Sequence, residues 1–313
     1  MVLLIGANTI KGIHLLLNLL QRGEQVCVIN IDNSLVDSYL EYYSVERRNI
    51  VNIQVDLSCY WDVVDIDPHI LNAESIDAIY YCADADIIST RNVVRLAQKT
   101  NAKLCYIGST EAIGFAEHGQ TADEQTPWQP DSHRTVHAKM KFFQEMEVWR
   151  GINEGLQAVV ICAGIAIGLT SSLSDRDAQI VETMRTSKCY LEGVNGFVDA
   201  RDLAEIAIAM VNNEKCNNKR IIVVGHNMKF AELQNIFADT YGVQRPQRAL
   251  SSKIIKTIRN VFCRKNEVWQ YCNEEHTYDA QRLQSVLKYE FRPIGDTINN
   301  IVNYIKAKRT DYE

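Results

Sequence analysis

Short apolar runs separated by stretches of helical periodicity limit this chain to a narrow set of folds. Residues 2–5, 26–29, 50–55, 78–82, 104–107 and 158–161 are each nearly unbroken in apolar or β-branched character. A strand that is apolar on both faces needs cover on both faces, which is the condition of a parallel sheet held between two layers of helices. Between the first two runs, Ile13, Leu16, Leu17 and Leu20 recur at helical spacing and Gly23 follows as a stop signal, so the chain opens as a βαβ unit. Further helices are expected over residues 90–99, 136–149 and 202–211, and one more strand over 220–224. Right-handed crossovers then make an α/β, doubly wound parallel sheet the natural architecture. Past residue 165 the alternation weakens. The expected organisation is therefore a core over 1–165, with 166–313 completing the sheet and forming a small, mostly helical lobe, all in one structural unit.

Composition narrows the function classes. At 313 residues the chain has ample length to bury a core. It has no apolar run near the roughly 18 residues of a membrane span, and its first residues lack the basic region and cleavage site of a secretory signal. A cytoplasmic protein with no membrane partner is expected. The nine cysteines stand singly, several inside apolar runs, and no Cys/His spacing suggests a metal site. Buried thiols in a reducing compartment are the reading that fits. A net charge of −6 argues against nucleic-acid binding, which needs a basic face. The basic stretch over residues 253–265 reads as a solvated amphipathic helix, with a local binding surface as the alternative.

The loop Gly6-Ala7-Asn8-Thr9-Ile10-Lys11-Gly12 lies directly between the first strand and the first helix. A phosphate-cradling loop must lie there to use the amides of a helix N-terminus. Gly6 and Gly12 permit a tight turn and close helix–strand packing, whereas a side chain at Thr9 obstructs close backbone approach to a diphosphate, to which its hydroxyl could itself donate a hydrogen bond. At the end of the second run stand Asn30 and Asp32, either of which suits an adenosine ribose; with no Arg nearby, NAD is preferred over NADP. Asp56 and Leu57 follow the third run, where an adenine ring is expected.

The segment Leu104-Cys105-Tyr106-Ile107-Gly108-Ser109-Thr110-Glu111, the helix start His137-Ala138-Lys139-Met140-Lys141, and the tract Gly196-Phe197-Val198-Asp199-Ala200-Arg201-Asp202-Leu203-Ala204 together carry a specific resemblance. The chain resembles the extended short-chain dehydrogenase/reductases, the NAD-dependent epimerase/dehydratase group, and within it the dihydroflavonol-reductase and 3β-hydroxysteroid-dehydrogenase-like members. The resemblance covers nearly the whole chain and implies a dinucleotide-binding, Rossmann-type fold. In its register Ser109 is the active-site hydroxyl, His137 stands where the family has its tyrosine, and Lys141 is the lysine that holds the ribose and tunes the acid–base group. Gly6, Thr9, Gly12, Asn30, Asp32, Asp56, Leu57, Ala83 and Lys141 take the cofactor-binding positions.

Several positions depart from the family pattern. Thr9 replaces the middle glycine of GxxGxxG. Ala83-Asp84 replaces Ala-Ala and brings a carboxylate where it repels a diphosphate. The connection from Ala83 to Ser89-Thr90-Arg91-Asn92 is short, and Ala163-Gly164 replaces the Pro-Ser near the nicotinamide. The resemblance implies an NAD(P)-dependent oxidoreductase or epimerase acting on a secondary hydroxyl of a sugar nucleotide or small alcohol; the departures leave open a catalytically degenerate relative, either a nucleotide- or metabolite-binding sensor or a non-binding scaffold. His137 lies one helical turn before Lys141, so the two share a face. An ammonium there is expected to lower the imidazole pKa, leaving the imidazolium scarce. Glu111 reads as an exposed loop carboxylate, or as an acid or base if the pocket buries it. A homodimer through the helices over 90–99 and 136–149 is the assembly the resemblance implies.

Overall fold

In the computed structural model, residues 1–66, 75–114, 116, 120–129, 135–169, 175–249, 268 and 271–310 are described. The first half alternates β1 (Val2–Ile5), α1 (Ile10–Gln21), β2 (Val26–Ile29), α2 (Asn33–Tyr42), β3 (Ile50–Ile53), α3 (Tyr60–Val64), β4 (Ala78–Tyr81), α4 (Ile87–Thr100), β5 (Lys103–Ile107), α5 (Val136–Asn153) and β6 (Ala158–Ala163). Then come β7 (Ile165–Ile167), α6 (Arg176–Thr186), β8 (Cys189–Tyr190), β9 (Val194–Asp199), α7 (Ala200–Val211), β10 (Lys219–Val223), β11 (His226–Lys229), α8 (Phe230–Tyr241), β12 (Arg248–Ala249), α9 (Gln281–Leu287) and α10 (Ile294–Thr310).

Seven strands form one sheet in the order β10-β6-β5-β4-β1-β2-β3, with all neighbours parallel. The strand order reverses between β1 and β4, and ligands of such sheets bind in the crevice at the carboxyl ends of the strands there. Alternate residues of each strand serve different layers, as the pleat dictates. Leu4, Val28, Tyr80, Cys105 and Val159 pack with Ile13, Leu16 and Leu20 of α1 and Leu203 and Ile206 of α7. Leu3, Cys27, Ile79, Leu104 and Val160 pack on the opposite face with Val93 and Val94 of α4 and Val148 of α5. Every one of these strand residues is essentially fully buried, each aliphatic one contributing ~2 kcal/mol over an exposed position.

The helix boundaries follow from local chemistry. Thr9, Asp86 and Thr135 accept from amides of the first turns of α1, α4 and α5, and Asn101 ends α4 in the left-handed conformation. The C-terminal part adds a three-stranded sheet, β11-β9-β7, and the pair β12-β8 to its helices. Asp202 of α7 ties it down, accepting from the Arg292 amide at 2.9 Å and the Tyr289 hydroxyl at 3.0 Å. The basic stretch over 253–265 lies outside the described residues. Among the described residues no helix is long and apolar enough to cross a membrane.

Candidate active site

Glycine is obligatory at both ends of the first loop. Gly6 has φ +101°, and a Cβ on it would stand 2.6 Å from the Ala83 nitrogen. A Cβ on Gly12 would meet the Gly6 carbonyl oxygen at 2.0 Å, so α1 can pack on β1 only without one. Thr9 between them donates to the Gly6 carbonyl at 2.8 Å and accepts from the Gly12 amide at 3.0 Å. The hydroxyl that sequence reasoning offered to a diphosphate thus closes the helix end on itself.

The next amide is also engaged. Asp175, at the head of α6, accepts from Ile10 N at 2.5 Å through one carboxylate oxygen and from Asp177 N at 3.0 Å through the other. Lys11, 9 % exposed, reaches across the sheet edge to donate to the Gly108 carbonyl at 3.2 Å and stands 3.3 Å from the Asp177 carboxylate. Burial disfavours the Lys11 charge, but Asp177, Asp84 and Asp175 outweigh it and raise its pKa. Burial and the nearby Asp177 charge push the Asp175 carboxyl upward. Nothing in the local sequence marks residues 175–177 as neighbours of the first loop; the contact spans 165 residues of chain.

The adenosine side is held by internal bonds as well. Asn30 at φ +55° donates to the Val55 carbonyl at 2.6 Å and accepts from the Val55 amide at 2.8 Å, stitching the end of β2 to the chain beyond β3. Asp32 accepts from the amide and hydroxyl of Ser34, and Asp56 from those of Ser58. The Leu57 carbonyl accepts from Asn92 at 3.0 Å, and Ala83 is half-buried beside Gly6.

Around the acid–base position, His137 and Lys141 project from the first turns of α5, and both turn toward Asp84 after β4. Lys141 Nζ is 2.5 Å from Asp84 Oδ1, with the lysine side chain 2 % exposed and the Asp84 side chain 27 %. His137 Nδ1 lies 3.0 Å from Glu111 Oε1, and Nε2 lies 3.7 Å from Asp84. That Nε2 is buried and has no hydrogen-bond partner among the described residues. Ser109 heads the single turn Thr110–Ala112, and its hydroxyl accepts from the Glu111 amide at 3.1 Å.

Three expectations are corrected here. Glu111 is 6 % exposed, because the turn carrying it packs against the start of α5, where Thr135 donates to its carboxylate at 3.2 Å. Asp84 does not stand as a free repelling charge. Burial alone would raise its pKa, but Lys141 and His137 hold it well below the usual carboxylate range. The His137 pKa is raised: burial and Lys141 oppose the charge, yet Glu111 and Asp84 outweigh them. Burial likewise works against the Glu111 carboxylate, while His137, Arg176 and Thr135 bring its pKa down to about 2.

As they stand, these residues do not fit a dinucleotide. The Ile10 and Gly12 amides that would face its diphosphate are bonded to Asp175 and Thr9, and Lys141, the ribose lysine by resemblance, is paired with Asp84. Among the described residues no three His, Cys, Asp or Glu side chains group as metal ligands.

The parallel sheet with its switch point and the glycine-ended loop define a Rossmann-type α/β protein. Residues 2–225 match the model of the NAD dependent epimerase/dehydratase family, and the chain belongs to that family. No curated protein matches the sequence. Among solved structures, a nucleoside-diphosphate-sugar epimerase from Pseudomonas aeruginosa is similar at TM-score 0.77 and 14 % identity, covering 98 % of this chain and 97 % of that one. Gre2 from Candida albicans in complex with NADPH is similar at TM-score 0.73 and 17 % identity, over 98 % of both chains. UDP-glucose 4-epimerase from Bifidobacterium longum in complex with NAD+ and UDP is similar at TM-score 0.75 and 13 % identity, over 98 % of both chains. At such identities the likeness is one of fold.

Proposed function

We propose that the chain is an NAD(P)-dependent oxidoreductase or epimerase of its family's general kind, acting on the secondary hydroxyl of a sugar nucleotide or small alcohol with His137 as proton carrier. The observation that carries this reading is the buried His137 ring, tied at Nδ1 to Glu111 and, among the described residues, with no hydrogen bond at Nε2, which stands 3.7 Å from the Asp84 carboxylate. A carboxylate on one nitrogen selects the tautomer with its proton there and leaves the lone pair of the other nitrogen available. Nε2 then accepts the substrate hydroxyl proton, and Glu111 and Asp84 stabilise the imidazolium that results. In the reverse direction the imidazolium, which the raised His137 pKa keeps populated, would return the proton to the carbonyl oxygen while a bound NAD(P)H would supply the hydride to its carbon. The Ser109 hydroxyl accepts from Glu111 N, so its own hydrogen is available to polarise that oxygen.

The test is turnover of a panel of sugar nucleotides and small secondary alcohols with NAD and NADP, for the natural protein and His137→Phe. Activity that drops at least about a hundredfold in the variant supports the reading. Activity unchanged by the substitution, or absent throughout, overturns it. A second reading, a catalytically silent relative, is favoured by the Lys141–Asp84 pair, which engages the ribose lysine inside the protein.

A further inference from the structure

The misfit between the first loop and a dinucleotide has a definite form: the chain supplies its own anions. The N-terminus of α1 presents amides and a positive dipole end, an arrangement that favours an anion. The Asp175 carboxylate sits on it at 2.5 Å from Ile10 N, with Asp175 only 5 % exposed and Asp177 7 %. Asp177 in turn faces Lys11 at 3.3 Å, and it accepts from the Ala166 amide at 3.2 Å. A buried ammonium without a counter-charge is strongly unfavourable, so Lys11 needs an anion in every state the groove adopts. Asp175 and Asp177 together supply negative charge of the same sign as a diphosphate but less of it, since burial and Asp177 hold Asp175 toward its neutral form.

We propose that Asp175 and Asp177 are an intramolecular occupant of the dinucleotide diphosphate seat, and that a dinucleotide enters by displacing them, after which Lys11 and the Ile10 amide bind its diphosphate. This rests on the reading of the groove as a cofactor site. It makes the described form a self-closed one and Lys11 a cofactor-binding residue. The departures at the first loop and the charge at residues 175–177 then belong to one device that weakens dinucleotide binding without removing the seat.

The experiment is calorimetric titration of NADH into the natural protein, Asp175→Asn/Asp177→Asn, and the same double variant carrying Lys11→Met. The proposal expects the double variant to bind NADH roughly tenfold tighter or better, and Lys11→Met to abolish the gain. Equal affinity in the natural protein and double variant, including none in either at millimolar NADH, overturns it. If the double variant fails to fold, hydrogen exchange of the natural protein decides: NADH must speed exchange in the peptide spanning 175–186, and no change or slowing overturns the proposal. Turnover is assayed separately. A double variant that binds NADH but turns nothing over sinks the oxidoreductase reading alone, and a natural protein that turns over with no effect of the Asp substitutions sinks the self-closure alone.

Discussion

Glu111 and His137 form a buried carboxylate–imidazole pair, with Oε1 3.0 Å from Nδ1 and the two residues 26 positions apart in the chain. Under the proposed function the pair takes the place of the family's tyrosine. A phenol needs a neighbouring cation to lose its proton near neutrality, whereas an imidazole titrates there unaided and needs a carboxylate to stay oriented and to hold its charge when buried. Glu111→Gln keeps the shape and removes the charge. NMR titration is expected to show a His137 pKa above its ordinary value in the natural protein and lower in the variant, and the pH profile of any turnover moves with it. An unchanged His137 titration would mean that the ring is governed by Asp84 instead.

Asp84 and Lys141 yield a second prediction. Lys141 is 2 % exposed, so Asp84→Ala strands a buried ammonium and is expected to cost about 3 kcal/mol in urea denaturation. The Asp84→Ala/Lys141→Met double variant removes both charges and is expected to recover most of that loss. A double variant no more stable than Asp84→Ala alone would show that Asp84 acts through some other contact, such as the one with His137.

The difference between what was legible in the sequence and what was not is one of range. The strands β1, β2, β4, β5 and β6 and the helix α1 are set by periodicity and caps within a dozen residues, and each lies where the apolar pattern puts it. Ser109, His137 and Lys141 were singled out by the family resemblance, and spacing adds only that His137 and Lys141, four apart, share a helix face. Glu111 was legible only as a carboxylate whose role depended on burial, and Asp175 and Asp177 were invisible in that way. A carboxylate in a loop looks solvated until the element that buries it is known, and Asp175 meets the first loop only after seven strands have been ordered in the sheet. The one available signal was the lysine at position 11, a long cation in a loop that otherwise uses small or apolar residues, and a cation there asks for anions.

Thr9 separates two roles that a sequence alignment would merge. As N-cap of α1 its hydroxyl holds the Gly12 amide at 3.0 Å, so Thr9→Ala is expected to destabilise by ~1 kcal/mol in chemical denaturation. Thr9→Gly restores the family's residue and, because glycine is itself an acceptable cap, should cost only a few tenths of a kcal/mol. A glycine variant as unstable as the alanine one would show that the hydroxyl bond to Gly6 also matters for the fold.

His14 gives the pH dependence its clearest handle. The ring on α1 is 4 % exposed, and its Nε2 accepts from the Leu169 amide at 3.1 Å. Burial, aided by Arg201 and opposed by Asp199, lowers its pKa from 6.5 to about 4. Between those values the unfolded chain binds a proton that the folded chain refuses, so the stability owed to this site is present above about pH 6.5 and is lost as the pH falls toward 4. The full loss amounts to about 3 kcal/mol at most. Asp175 works the other way: its raised pKa means that stability falls as the pH rises from the ordinary carboxylate range toward the folded value. The natural protein alone therefore gives a blurred profile, and the comparison to make is with His14→Gln, which keeps an acceptor for Leu169 N and cannot be protonated. The stability difference between the two proteins, followed by urea denaturation, is expected to shift in favour of the variant as the pH drops from 7 to 4, with the Asp175 contribution cancelling. A difference that stays flat across that range would show that the ring is protonated in the fold or that the folded chain opens around it.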